Sequence, residues 1–161
     1  MAEDDDLQIG DLAPDFTIND SNGNSICLSN LNSEGKYVVL YFYPKDSTPG
    51  CTIQACDFRD NMQRLIANNV VVLGVSKDSE KSHQNFIEKQ SLNFSLLMDE
   101  DLELHHKYSV WREKMNYGKT YMGTSRSTFI IHPDGKLKYA KYNVKAKGHV
   151  ERIISELNIV D

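Results

Sequence analysis

What this chain lacks narrows its possible roles before any motif is read. It has no apolar run approaching the ~20 residues of a membrane span, so no membrane association is expected. It has no excess of basic residues: 18 Lys+Arg stand against 23 Asp+Glu, for a net charge of −5, which argues against nucleic-acid binding. Its N-terminus, MAEDDDLQIG, is acidic where a secretory signal is basic and then apolar, so export is not expected. It has no C-x-x-C pair and no H-x-x-x-H, and therefore no expected zinc site. It has no even set of cysteines. With only three, at least one is unpaired within the chain, which fits a reducing, cytoplasmic setting with functional thiols better than a stapled secreted fold. Internal repeats, low-complexity tracts and dividing linkers are absent as well. The 161 residues read as one domain, 1–161, large enough to bury roughly 70% of its unfolded surface.

What is present alternates between strand-like and helix-like segments. Tyr37 to Tyr43 is continuously β-branched and aromatic and is stopped by Pro44, as expected of a strand buried on both faces. Ala55, Phe58, Met62, Leu65 and Ile66 recur at spacings of three and four, one stripe of an amphipathic helix that Asn68 and Asn69 end. Val70 to Val75 reads as a second buried strand. Asp78 is the expected cap of a helix carrying Phe86 and Ile87. Ser95 to Met98 reads as a short strand and Leu102 to Tyr108 as a short helix. Pro133-Asp134-Gly135 joins Ser127–His132 to Lys136–Asn143 as a hairpin, and Val150, Ile153, Ile154 and Leu157 mark a closing helix. Near the start, Asn22-Gly23-Asn24 predicts a hairpin between Phe16-Thr17-Ile18 and Ile26-Cys27-Leu28. The sum is an α/β sandwich with a mixed sheet and an N-terminal β-hairpin.

The chemistry concentrates between the first buried strand and the long helix. Thr48 followed by Pro49 predicts a helix start, with a hydroxyl cap and proline at the first helical position. Cys51 then lies in the first turn, where free N–H groups and the positive end of the helix dipole favour a thiolate. The dipole supplies about 0.3–1 kcal/mol, too little for strong activation, so a second positive group is required. Lys45 is near in sequence. Arg126 is the better candidate, because guanidinium stays charged, offers fixed donors, and is an odd residue at the start of a buried-looking strand.

Pro44, Thr48 and Cys51 match the P-x-x-x-T-x-x-C pattern, and the chain resembles the peroxiredoxins. The run through Cys56 is similar to their bacterioferritin comigratory protein, or peroxiredoxin Q, branch. So are Ala13-Pro14-Asp15-Phe16, Gly118–Gly123 and Arg126–Ile131, so the likeness covers nearly the whole chain. The resemblance implies a thioredoxin-like fold, with a central mixed sheet flanked by helices. It implies an atypical two-cysteine peroxidase that needs no metal or organic cofactor and reduces hydrogen peroxide or alkyl hydroperoxides. Cys51 would be the peroxidatic thiol and Thr48 the orienter of peroxide. Pro44 would wall the pocket, Arg126 steady the thiolate, and the N–H groups of Gly50 and Cys51 clamp the O–O bond.

In that branch the cysteine at position 56 resolves the sulfenic acid as an intramolecular disulfide, reduced in turn by thioredoxin or a similar dithiol. Five helical residues rise about 7.5 Å, beyond the ~4.4–6.8 Å a disulfide accepts between Cα atoms, so the helix from about Cys51 to Cys56 must unwind first. A disulfide within one chain makes a monomer the default. Two other readings stand beside this one: a one-cysteine peroxidase resolved by an external thiol, and a redox-sensing or holdase partner protein using the same thiol.

The remaining residues have plainer readings. Cys27, between Ile26 and Leu28, is an ordinary strand residue. Asp57 and Arg59 are solvated helix charges, and Trp111 and Tyr43 are aromatic packing. His105 and His106 point about 100° apart on a helix and do not clamp one metal. Lys136, Lys138, Lys141, Lys145 and Lys147 are the solvent-facing charges of an edge hairpin.

Overall fold

The computed structural model describes residues 6–159, so the acidic start read above as unlike an export signal lies largely outside the described residues. In chain order the elements are β1 (Thr17–Asn19), β2 (Ser25–Cys27), α1 (Leu28–Ser33), β3 (Tyr37–Phe42), α2 (Pro49–Ala67), β4 (Val70–Ser76), α3 (Glu80–Gln90) and β5 (Ser95–Met98). They are followed by α4 (Glu103–Lys107), β6 (Trp111–Asn116), β7 (Lys119–Thr124), β8 (Ser127–Ile131), β9 (Leu137–Lys141) and α5 (His149–Glu156).

β3 is continuously apolar because both its faces are covered. Its odd-numbered residues, Val39 and Tyr41, join Ala55, Phe58 and Leu65 of α2, Phe86 of α3 and Ile153 of α5 in one core. Its even-numbered residues, Val38, Leu40 and Phe42, join Phe16, Leu28, Leu104 and Tyr108 in a second core on the opposite face. The sheet order is β5–β4–β3–β8–β9, with β3, β4 and β5 parallel and β8 and β9 added antiparallel. The lysine-bearing β9 is an edge strand, as expected. Phe58 stacks on Tyr41 with centroids 4.7 Å apart. Its truncation to Ala is worth about 3–5 kcal/mol by the usual cost of emptying an aromatic core site. Together these contacts fix α2 across the sheet and set its first turn beyond the carboxyl end of β3, where open α/β sheets form their sites.

Several expectations are corrected. Leu28 is not a strand residue; it opens α1 and is buried under the sheet. Asp78 does not cap α3. Ser79 does, accepting from the Ser82 N–H at 3.2 Å, because the Asp78 carboxylate is taken by the Asp46 N–H at 2.8 Å and the Ser76 hydroxyl at 2.7 Å. Thr48 occupies the cap position of α2 with extended backbone, but its hydroxyl donates to Lys45 O at 2.8 Å instead of accepting from the helix. Ile66 drifts off the buried stripe and is exposed. The antiparallel β6–β7 hairpin has no counterpart in the sequence pattern. Its strands are largely solvated and carry no run of apolar residues.

Candidate active site

The connection from Pro44 to Cys51 is shaped residue by residue. Proline ends β3, Ser47 takes a left-handed conformation (φ 64°), and Thr48 returns to extended backbone before Pro49 opens α2. The Thr52 N–H donates to Thr48 O at 2.8 Å and closes the first helical turn around Cys51. Cys51 is 2% exposed. Arg126, which precedes β8, reaches across to it: Nη2 donates to Cys51 Sγ at 3.3 Å and Nη1 to Gln54 Oε1 at 2.6 Å. A planar fork satisfied at both prongs has a fixed orientation, and its charge is delivered at the sulfur. Arg126 is thus the positive group placed within hydrogen-bond reach of the Cys51 sulfur.

Gly50 makes room for that approach. A Cβ at this position would stand 3.3 Å from Arg126 Nη2 and 3.8 Å from the Ala146 methyl. The segment after β9 is pinned to the same arginine, since the Val144 N–H donates to Arg126 O at 2.8 Å. His149 follows, 5% exposed, with Nε2 at 2.7 Å from Thr128 Oγ1. Burial, then the nearby charges of Arg126 and Lys141, push its pKa down to about 4. The Lys114 ammonium donates to Thr124 O at 3.0 Å, and burial and Arg126 hold its pKa below the ordinary lysine value.

Pro44, Thr48, Gly50 and Cys51 thus share one short connection, and Arg126 joins it from the sheet. Cys56 stays apart from Cys51. It is half-buried further along α2, and its Sγ donates to Gln90 Oε1 at 3.5 Å. All three cysteines are free thiols. Cys27 ends β2, immediately before α1, where bonds from Ser29, Thr17 and the Asn30 backbone hold its pKa below the ordinary thiol value.

Three groups near the site had no individual signal in the sequence. Gln54 is fully buried and its Nε2 is without a partner, although its place three residues after Cys51 on one helix face was readable. Asp46 and His83 form a buried network with Tyr43. The tyrosine hydroxyl donates to Asp46 Oδ1 at 2.5 Å, His83 Nδ1 lies 2.7 Å from Asp46 Oδ2, and Ser82 Oγ donates to that oxygen at 2.9 Å. His83 Nε2 lies 3.0 Å from Leu97 O. Both ring nitrogens therefore face acceptors, an arrangement that favours the protonated ring. Burial opposes that charge, but the Asp46 hydrogen bond and carboxylate outweigh it and the pKa is raised. Asp46, Asp78 and His83 hold three potential metal-ligand atoms within 4.8 Å of one another. Each imidazole nitrogen already faces a protein acceptor, so the group forms a hydrogen-bonded brace between the β3–α2 connection and α3.

An α/β sandwich with an arginine-held cysteine at a helix start defines a class, the thiol-based enzymes. Residues 9–140 match the AhpC/TSA family, and the chain belongs to it. A peroxiredoxin bcp of Helicobacter pylori strain J99 is 48% identical over 151 residues, covering 94% of this chain and 98% of the relative. Peroxiredoxin Bcp of Bacillus subtilis strain 168 is 45% identical over 151 residues, covering 94% and 95%. The solved bacterioferritin comigratory protein of Xanthomonas campestris superposes with a TM-score of 0.83 at 38% identity, covering 89% of this chain and 90% of that one. These relatives support the thioredoxin-like fold and make the activity that of the family, a thiol-dependent peroxidase. Among the described residues no helix is long and apolar enough to cross a membrane.

Proposed function

We propose that Cys51 is the peroxidatic thiol of this enzyme. The carrying observation is the Arg126–Cys51 hydrogen bond in the first turn of α2. The Cys51 thiolate attacks one peroxide oxygen; an S–O bond forms, the O–O bond breaks, and the departing oxygen takes up a proton as water or alcohol. Cys51 is left as a sulfenic acid. Arg126 and the N–H groups of Gly50 and Cys51 stabilise the charge that moves along the O–O bond. The Thr48 hydroxyl orients the peroxide, and Pro44 limits water.

Cys56 then resolves the sulfenic acid. Unwinding of the first turns of α2 frees it, and a Cys51–Cys56 disulfide closes. Thioredoxin or a similar dithiol reduces that disulfide by exchange. The substrates are hydrogen peroxide and organic hydroperoxides, a reading supported by the alkyl peroxide reduction studied in the Xanthomonas relative. The chain acts as a single-domain monomer in the cytoplasm, with no metal or organic cofactor.

The test is peroxide consumption in a thioredoxin-coupled assay by the wild type, Cys51→Ser and Cys56→Ser. Loss of activity in Cys51→Ser is expected, and equal rates would end the proposal. Cys56→Ser is expected to lose thioredoxin-coupled turnover while still consuming about one equivalent of peroxide; full turnover would transfer resolution to an external thiol.

A further inference from the structure

α3 grips the segment around Cys51 at two points. Near its N-terminus Ser82 and His83 hold Asp46, ahead of the cysteine. At its C-terminus Gln90 holds Cys56 and Arg59, behind it. Gln90 is the last residue of α3, and Ser91 follows in a left-handed conformation (φ 53°). The Gln90 carbonyl, one of those a helix end leaves without an intrahelical partner, accepts from Arg59 Nη1 at 2.6 Å. Its side-chain Oε1 accepts from the Cys56 thiol at 3.5 Å. Arg59 is secured a second time, its own carbonyl accepting from Asn93 Nδ2 at 3.3 Å, and Phe58 beside it is fully buried on Tyr41. Unwinding that begins at Pro49 therefore meets a fixed point at Phe58–Arg59. Cys56 lies just ahead of that point, and among the described residues its thiol makes one side-chain hydrogen bond, to Gln90.

We infer that Gln90 is a positioning residue for Cys56, retaining the resolving thiol on the folded helix and setting how fast the disulfide forms after Cys51 is oxidised. This rests on the reading of Cys56 as the resolving thiol. In the resolving step Cys56 gives up its S–H proton and its sulfur lone pair forms the S–S bond to Cys51 Sγ. The S–O bond of the sulfenic acid breaks, and the oxygen leaves as hydroxide that takes up one proton to become water. A carbonyl oxygen offers only lone pairs, so Oε1 bonds the thiol and not the thiolate that attacks. The contact must break before resolution, whereas Arg59 need not move. A slow release leaves the sulfenic acid open to a second peroxide and to sulfinic acid, so Gln90 also sets the tolerance to excess peroxide.

The experiment is single-turnover oxidation of the full-length protein followed by rapid-quench mass spectrometry, with sulfenic acid, disulfide and sulfinic acid counted separately. Gln90→Ala is expected to form sulfenic acid at the wild-type rate and to close the disulfide faster. A weak hydrogen bond is worth about threefold to tenfold in that rate. Its sulfinic acid yield at high peroxide is expected to fall by a similar factor. Gln90→Glu keeps the acceptor and is expected to restore the slow closure, which a general loosening of the helix would not do. An unchanged closure rate in Gln90→Ala with the Cys51–Cys56 disulfide still formed overturns the role of Gln90 alone. Absence of that disulfide in the oxidised wild type overturns the resolving role of Cys56, and this inference with it.

Discussion

Arg126 donates to Cys51 across 3.3 Å, from the start of β8 to the first turn of α2. Its other prong is held by Gln54 at 2.6 Å, so the guanidinium cannot turn away without losing a charge-assisted bond. Lysine preserves the charge but lacks the rigid planar fork that presents one nitrogen to Gln54 and another to the sulfur. Arg126→Lys is therefore expected to lower kcat/KM for peroxide by about 10²-fold, the usual effect of removing one aligned donor from a transition state. Stopped-flow oxidation of the reduced enzyme measures this directly. A rate within about threefold of wild type would show that charge alone suffices.

Gly50→Ala separates activity from stability. In a helix alanine is favoured over glycine by about 1 kcal/mol, so local stability should be kept or raised. The new methyl, however, would stand 3.3 Å from Arg126 Nη2, tighter than ordinary packing, and 3.8 Å from Ala146. The guanidinium has to give by a few tenths of an ångström, and alignment at the sulfur is lost with it. The expected result is a urea midpoint at or above wild type together with roughly tenfold slower peroxide reduction. Unchanged kinetics would show that Arg126 tolerates the displacement.

How much of this was legible depends on what each residue needed to signal. The buried strands announced themselves, because a segment covered on both faces must be continuously apolar, and Tyr37 to Tyr43 is. Cys51 and Arg126 were legible for the same reason in reverse: a Pro-preceded helix start and an arginine beside a buried strand are costly placements without a purpose. The β6–β7 hairpin was not legible because many of its side chains face water, where Glu113, Asn116, Lys119 and Thr120 satisfy no core and leave no pattern. Gln54 looks like any polar helix residue until Arg126 is brought to it. Asp46 and His83 meet across 37 residues, a pairing only the packing of α3 against the β3–α2 connection creates. Thr48 was misassigned in detail, since a threonine at a cap position has a second choice, and here its hydroxyl turns back to Lys45.

His149 makes stability fall on the acid side. Burial, reinforced by Arg126 and Lys141, lowers its pKa to about 4, against about 6.5 in the unfolded chain. Between these values the unfolded state binds the extra proton, so stability rises with pH and is lost as pH falls from about 6.5 towards 4. The full loss is roughly 3 kcal/mol. His149→Gln cannot titrate, and its urea-unfolding free energy is expected to lose that slope between pH 6.5 and 4. Parallel acid slopes in variant and wild type would exclude His149 as the source.

His83 works in the opposite direction. Burial disfavours its charge, but the hydrogen bond and carboxylate of Asp46 prevail, and its pKa is raised in the folded state. The stability it contributes is fully present below the unfolded value of about 6.5 and is lost as pH rises through the folded value. Loss of the proton removes a donor from Asp46 or from Leu97 O, and with it the positive charge beside the Asp46 carboxylate. Asp46 lies in the connection that leads into Cys51, so the same titration is expected to weaken the brace on that connection. His83→Gln breaks a buried charged pair and should cost about 3–5 kcal/mol at pH 6. It should also abolish the alkaline decline expected of the wild type above the unfolded value. Urea unfolding of both proteins at pH 6 and pH 9 tests the sign. A wild type that gains stability across this range, or a variant that declines as steeply, would refute the raised pKa of His83.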